Sequence, residues 1–221
     1  MFSKDERADA TFYVETGHTV SSNTMSHVES IYPKGIEMHI VAIAGSLRQG
    51  SMNRQLAEAA GRTVYELDPA IQFTLLDWAD VPMFNEDIER PAPPAVARVR
   101  EQILDADGIW FFTPEYNHFF PGPLKNLLDW LSRPVSAEQG QVLDGKPAAI
   151  SGISAGGSGT AIAQDHLVAL ISFLNMDVMN KPRLTIPFGF SKMNDGVLDL
   201  GDSLPYLERQ TQAFLKFVAN R

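Results

Sequence analysis

A chain of 221 residues, 44% of them hydrophobic, is long enough for one α/β domain to bury its own core without cross-links. It contains no cysteine, which excludes disulfides, thiolate chemistry and cysteine-bound metals. A formal net charge of −9 argues against a nucleic-acid scaffold, since duplex binding needs a basic footprint, and no apolar run approaches the roughly 20 residues of a membrane span.

Residues 1–37 are polar and show no sustained period. They lack the apolar core of a signal peptide, so export is not supported and a cytoplasmic protein is expected. The segment reads as an N-terminal extension to a domain over 38–221. One reading is a mobile tail. The other is an arm that wraps a partner subunit, anchored by Phe12, Tyr13, Ile31 and Tyr32. Met25 and Met38 leave a later start open.

From Met38 onward strand and helix patterns alternate. "HIVAIA" (39–44) is a short apolar run, as in a strand buried on both faces. "NRQLAEAAGRTVYEL" (53–67) reads as a helix and "IQFTLLD" (71–77) as a second strand. A helix over 93–106 follows, opened by paired prolines where a missing N–H costs little. "DGIWFF" (107–112) is a third strand, and 121–133 a helix again opened by prolines. "KPAAISGI" (146–153), a long helix over 160–176, "KPRLTIPF" (181–188) and a closing helix over 204–221 complete the pattern. Such alternation predicts a doubly wound parallel sheet of five strands in the order 2-1-3-4-5, with helices on both faces. In that order the first and third strands are neighbours, and their loops diverge at a switch point where ligands bind.

The loop after the first strand runs Gly45-Ser46-Leu47-Arg48-Gln49-Gly50-Ser51-Met52-Asn53 and leads directly into a helix. A helix N-terminus offers unpaired N–H groups and a positive dipole end, which suits phosphate. Ser46 and Ser51 can donate hydroxyl hydrogen bonds, and Arg48 a charge-assisted fork. Asn53 can donate its amide or cap the helix instead. The nucleoside-triphosphate loop needs Lys and then Ser/Thr where Ser51 and Met52 stand, and G-x-G-x-x-G is absent. One terminal phosphate needs neither lysine nor magnesium. The bland alternative is a glycine-rich turn with a serine cap.

The second constellation is "TPEYNHFFPGPLKNLLDWLSR" (113–133), at the end of the third strand. Thr113 to Asn117 form a polar loop whose amides can meet the edge of a flat ring. The bland alternative is a turn followed by an amphipathic helix with Leu124, Leu127, Leu128 and Leu131 facing the core. Together "AGSLRQGSMN" (44–53) and this stretch resemble the signature segments of the NAD(P)H-dependent FMN reductases. The resemblance covers roughly residues 38 to 190. That family has a flavodoxin-like fold and includes quinone, azo-dye and chromate reductases.

The resemblance implies FMN as cofactor and NADPH or NADH as electron donor. It places Ser46, Arg48, Ser51 and Asn53 at the FMN phosphate, with Met52 counted in the same cofactor-binding set. Pro114, Glu115, Tyr116 and Asn117 match the loop that lines the ribityl chain and the isoalloxazine. Ala155, Gly156 and Gly157, within "SAGGSG" (154–159), stand where the family has a third loop near the ring's pyrimidine edge. The helix after "TPEYN" implies a homodimer or homotetramer, with Lys125, Asn126 and Asp129 as interface candidates. "HFF" (118–120) departs from the family pattern by its bulk and is expected to narrow the substrate space. The extension also exceeds the minimal pattern, although the organoarsenical-oxidising relatives carry N-terminal extensions too.

The redox chemistry would belong to the flavin. No catalytic nucleophile, obligatory base or metal site is expected. Among the histidines His39 is expected to open a strand and His166 to lie mid-helix; His118 lies near the proposed site. "FNEDIE" (84–89) is a candidate lid or part of a partner's site. Two functional classes follow: a reductase passing electrons to free flavin, quinones or similar small electrophiles, or a flavodoxin-like carrier without its own turnover. The helix over 121–133 and Arg48 favour the enzyme.

Overall fold

The computed structural model describes residues 38–221. The expected extension over 1–37, with its candidate anchors and with His18 and His27, lies outside the described residues. Strands β1 (His39–Ala44), β2 (Gln72–Leu75), β3 (Gly108–Phe112), β4 (Pro147–Ile153) and β5 (Asp177–Val178) form a parallel sheet in the order β2-β1-β3-β4-β5. This is the expected flavodoxin-like order. β1 pairs with β3 from Ile40↔Gly108 to Ala44↔Phe112, and β3 with β4 from Ile109↔Ala148 to Phe112↔Ser151. All of β3 and β4 is buried, as is β1 after His39. Burial on both faces explains why these runs are almost entirely apolar rather than alternating, with Ser151 of β4 the polar exception.

Successive side chains feed two cores. Val41, Ile43, Ile109, Phe111 and Ile150 pack with α2 (Pro94–Leu104), α3 (Gly122–Leu131) and α4 (Ala161–Phe173). Ile40, Ala42, Trp110, Phe112 and Ala149 pack with α1 (Met52–Leu67) and α5 (Leu204–Ala219). Ser51 caps α1, its Oγ accepting from the Arg54 N–H at 3.2 Å. Prolines stand in the first turns of α2, α3 and α5, where an N–H has no helical partner to lose.

The sheet edge differs from the expected single strand over 181–188. β5 pairs with the amino half of β4, and β6 (Leu184–Ile186) with its carboxyl half. Pro182 stands between them and has no N–H for the ladder, so the edge is broken there. Gln210 fills the break. Its Nε2 donates to the Ile150 and Pro182 carbonyls, at 2.9 and 3.1 Å. Its Oε1 accepts from Ser151 Oγ at 2.6 Å, and Ser151 Oγ accepts from Trp110 Nε1 at 2.8 Å. A small hairpin of β7 (Met193–Asn194) and β8 (Val197–Leu198) was not expected from the sequence. Asp195 and Gly196 turn it with φ of 48° and 82°.

Candidate active site

Three loops leave the carboxyl ends of adjacent strands: 45–51 after β1, 113–121 after β3 and 154–160 after β4. They begin in register. The Gly45 N–H donates to the Phe112 carbonyl at 2.8 Å, and the Thr113 N–H to the Ser151 carbonyl at 2.9 Å. The sheet order therefore brings all the proposed cofactor loops to one edge.

Two side chains lock the loops together. Asn53 is 2% exposed, and both ends of its amide are engaged. Its Nδ2 donates to the Ile153 carbonyl at 2.9 Å, and its Oδ1 accepts from the Ile153 N–H at 3.0 Å. It thus ties the start of α1 to the end of β4. Of the two roles expected for this amide, a phosphate contact or a cap, the cap belongs to Ser51. Glu115 turns inward with its side chain 6% exposed. It accepts from Ser158 Oγ at 2.6 Å and from the Ala163 N–H at 3.1 Å. A carboxylate on the first turn of α4 satisfies an orphan N–H and suits the helix dipole.

The other expected site residues fall as follows. Arg48 is exposed and donates to the Gly50 carbonyl at 2.9 Å, and Ser46 is half-buried. Met52 is half-buried and packs against the second core. Pro114 is buried against Gly45, with its Cδ 3.3 Å from where a Cβ would lie. Tyr116 and Asn117 are exposed, as are Ala155, Gly156 and Gly157.

The expected polar loop over 113–117 extends into a tight hairpin turn. Tyr116 and Phe119 exchange both backbone hydrogen bonds, at 2.9 and 3.0 Å. Asn117 and His118 between them have φ of 54° and 60°. Two successive left-handed residues make a type I′ turn, which asparagine and histidine tolerate better than most. Of "HFF", Phe120 enters the core, whereas Phe119 is half-exposed and stacks on His166 of α4, centroids 4.3 Å apart. His118 is exposed, 3.2 Å from Glu115.

Desolvation raises the Glu115 pKa, but the Ser158 hydroxyl, the Ala163 N–H and His118 outweigh it and hold the carboxyl below its usual range. A folded-state pKa below the unfolded one gives stability that is present above about pH 4.3 and lost as pH falls through the folded value. Glu115→Gln should cost about 1–3 kcal/mol at pH 7. The gap from wild type should shrink as the melts are repeated below pH 4. A gap independent of pH would show that the Glu115 charge does not matter.

Residues absent from the expected set also shape the site. A Cβ on Gly152 would lie 2.4 Å from the Thr113 carbonyl oxygen and 2.2 Å from Thr160 Oγ1. Gly152→Ala must therefore push the β3 loop from the β4 loop, at a cost of about 1–3 kcal/mol. A melting temperature equal to wild type would contradict that contact. Thr160 is buried with φ of 77°, an uncommon backbone for a β-branched residue, and its hydroxyl accepts from Gln164 Nε2 at 3.0 Å.

The expected interface set is divided by the structure. Lys125 and Asp129 form an ion pair at 2.7 Å on the outer face of α3. Asn126 is spent within the chain, with Nδ2 on the Pro82 carbonyl and Oδ1 on the Phe84 N–H. The candidate lid over 84–89 is strapped to α3. Phe84 packs edge-on to Trp130 at 4.9 Å, and Arg133 holds Glu89 at 3.1 Å. His39 opens β1 as expected, with Nε2 2.8 Å from Thr74 Oγ1. Among the described residues no helix is long and apolar enough to cross a membrane.

Residues 38–191 match the family model for the NADPH-dependent FMN reductases. The chain belongs to this family. The reductase is 37% identical over 186 residues to a 2-hydroxy-1,4-benzoquinone reductase of a Burkholderia species, covering 83% of this chain and 98% of the relative. It is 45% identical over 152 residues to an NAD(P)H-dependent FMN reductase of Pseudomonas aeruginosa, covering 68% of this chain and 78% of the other. Among solved structures it resembles FerB, a flavoenzyme NAD(P)H:(acceptor) oxidoreductase from Paracoccus denitrificans. That match has a TM-score of 0.73 and 29% identity, over 83% of this chain and 98% of FerB.

The family's cofactor is FMN, with NAD(P)H as electron donor. The donor set of the loops fits such a group. The backbone N–H groups of residues 46–50 find no acceptor among the described residues, and neither do those of 155–157. Gly50, at φ of 63°, has open space where a side chain would stand, and so has Gly156. An unpaired run of N–H groups beside an arginine and a helix N-terminus suits a phosphate.

Proposed function

We propose that this protein is an NAD(P)H-dependent, FMN-containing reductase that passes electrons to quinones, free flavin or similar small electrophiles. The observation that carries the site assignment is the placement, at one carboxyl edge of the sheet, of two runs of backbone N–H groups without an acceptor among the described residues: 46–50, which includes Arg48, and 155–157. In this reading the FMN phosphate is held by the 46–50 amides, Ser46, Arg48, the Ser51 hydroxyl and the N-terminus of α1. Asn53 and Glu115 act as positioning residues that keep the three loops in register. The ring is met by the backbone of 114–117 and 155–157, with Tyr116 beside it. Bound FMN supplies a two-electron carrier between donor and acceptor. The reading places the enzyme in the cytoplasm, with residues 1–37 as an extension to the 38–221 domain.

The loops close one side of such a ring and leave one side for both substrates in turn. Initial rates against NADPH at several quinone concentrations should therefore give parallel lines. Intersecting lines would mean that both substrates bind together, against the one-sided site.

The same reading includes a homodimer or homotetramer. α3 buries most of its apolar residues within the chain. α4 instead exposes Ile162, His166, Ala169 and Phe173 at helical spacing, and Phe173 is 85% exposed. That stripe is the better candidate for self-association. Light scattering at micromolar concentration should report a dimer or larger. A flavin-loaded monomer would count against the assembly and move weight toward a carrier.

A further inference from the structure

Phe188 has a left-handed backbone, with φ of 53° and ψ of 41°. For a bulky side chain that conformation is an outlier, and it clusters at functional sites. Its neighbours impose it. The Phe188 N–H donates to the Gly156 carbonyl at 3.1 Å, and the Gly189 N–H to the Ser154 carbonyl at 2.7 Å. Gly189 has no room for a side chain: Ile153 Cγ1 and Met52 Sδ lie 2.7 and 2.9 Å from where its Cβ would stand. Glycine or asparagine at 188 would follow this path at lower cost.

Burial does not offset the cost. Phe188 is 61% exposed, and its ring Cζ lies 3.4 Å from the Cβ position of Gly157. Thr160 makes the contrast, because its left-handed backbone comes with full burial and a used hydroxyl. Asn117, Asn175 and Asp195 are residue types that tolerate positive φ. Phe188 is thus a strained, solvent-facing aromatic ring held at the rim of the 154–159 loop.

We propose that Phe188 is a stacking residue for a planar heteroaromatic ring bound against that loop, either the isoalloxazine of FMN or a ring of the pyridine nucleotide. The proposal rests on the reading of 154–159 as a cofactor loop. Aromatic stacking of this kind corresponds to about 2- to 12-fold in affinity.

The test compares Phe188→Asn and Phe188→Trp with wild type in full-length protein. In the apoprotein, Phe188→Asn should melt at or above the wild-type temperature, because strain is relieved. It should also weaken ring binding by about 3- to 10-fold, and Phe188→Trp should retain it. A weaker FMN titration would identify the flavin as the partner. An unchanged FMN titration with a raised KM for NADPH would identify the pyridine nucleotide. Both constants within twofold of wild type would overturn the proposal. An apoprotein melting temperature lowered by more than about 3 °C would assign the ring to packing instead. Loss of oligomer by light scattering with unchanged ligand constants would assign it to an interface. Arg48→Ala separates the underlying reading. If it leaves FMN affinity unchanged while Phe188→Asn lowers it, the phosphate assignment fails and the ring site stands.

Discussion

Asn53→Ala should be the most damaging single change at this edge, costing about 2–5 kcal/mol. The amide is buried, and it satisfies both the N–H and the carbonyl of Ile153. Truncation removes one partner from each of those two backbone groups and leaves a void beside them. At roughly 2–4 °C per kcal/mol for a domain of this size, the melting temperature of the apoprotein should fall by about 4–20 °C. FMN affinity should fall as well, since the start of α1 is no longer fixed to the end of β4. A variant that melts within 1 °C of wild type would show that the Asn53 tie does not matter.

Arg48→Ala should behave in the opposite way. Arg48 is exposed, and among the described residues its guanidinium donates one hydrogen bond, to the Gly50 carbonyl. The apoprotein should melt as wild type does. FMN binding should weaken by about 10- to 150-fold, the equivalent of losing about 1.5–3 kcal/mol from a charged hydrogen bond. Flavin fluorescence titration reads this directly. Unchanged affinity would place the phosphate elsewhere.

These two residues show how far the sequence could be read. The strand order was legible because three runs are apolar at nearly every position, His39 and Ser151 being the exceptions, which marks strands covered on both sides. The loop proposed for the phosphate stood out in the sequence because its glycines, serines and arginine lie between such a strand and a helix. Asn53 stood out as a candidate phosphate ligand but not as a tie, because Ile153 lies 100 residues away and no local pattern pairs them. Glu115 is a similar case, since its partners Ser158 and Ala163 meet it only through the β3–β4 register. The reading of the 181–188 edge missed the effect of Pro182 on a ladder. The β7–β8 hairpin did carry a local signal: Asp195-Gly196 is a favoured two-residue turn. Phe188 carried none, because φ is not written in the sequence when the residue is not glycine.

The most direct measurement of the central claim is an anaerobic spectrum of FMN-loaded protein on addition of NADPH. The proposed reductase should bleach the flavin absorbance, and a quinone added afterwards should restore it. Flavin that stays oxidised with both NADPH and NADH, in protein shown to be FMN-loaded, would contradict the reductase and leave a carrier or binding module.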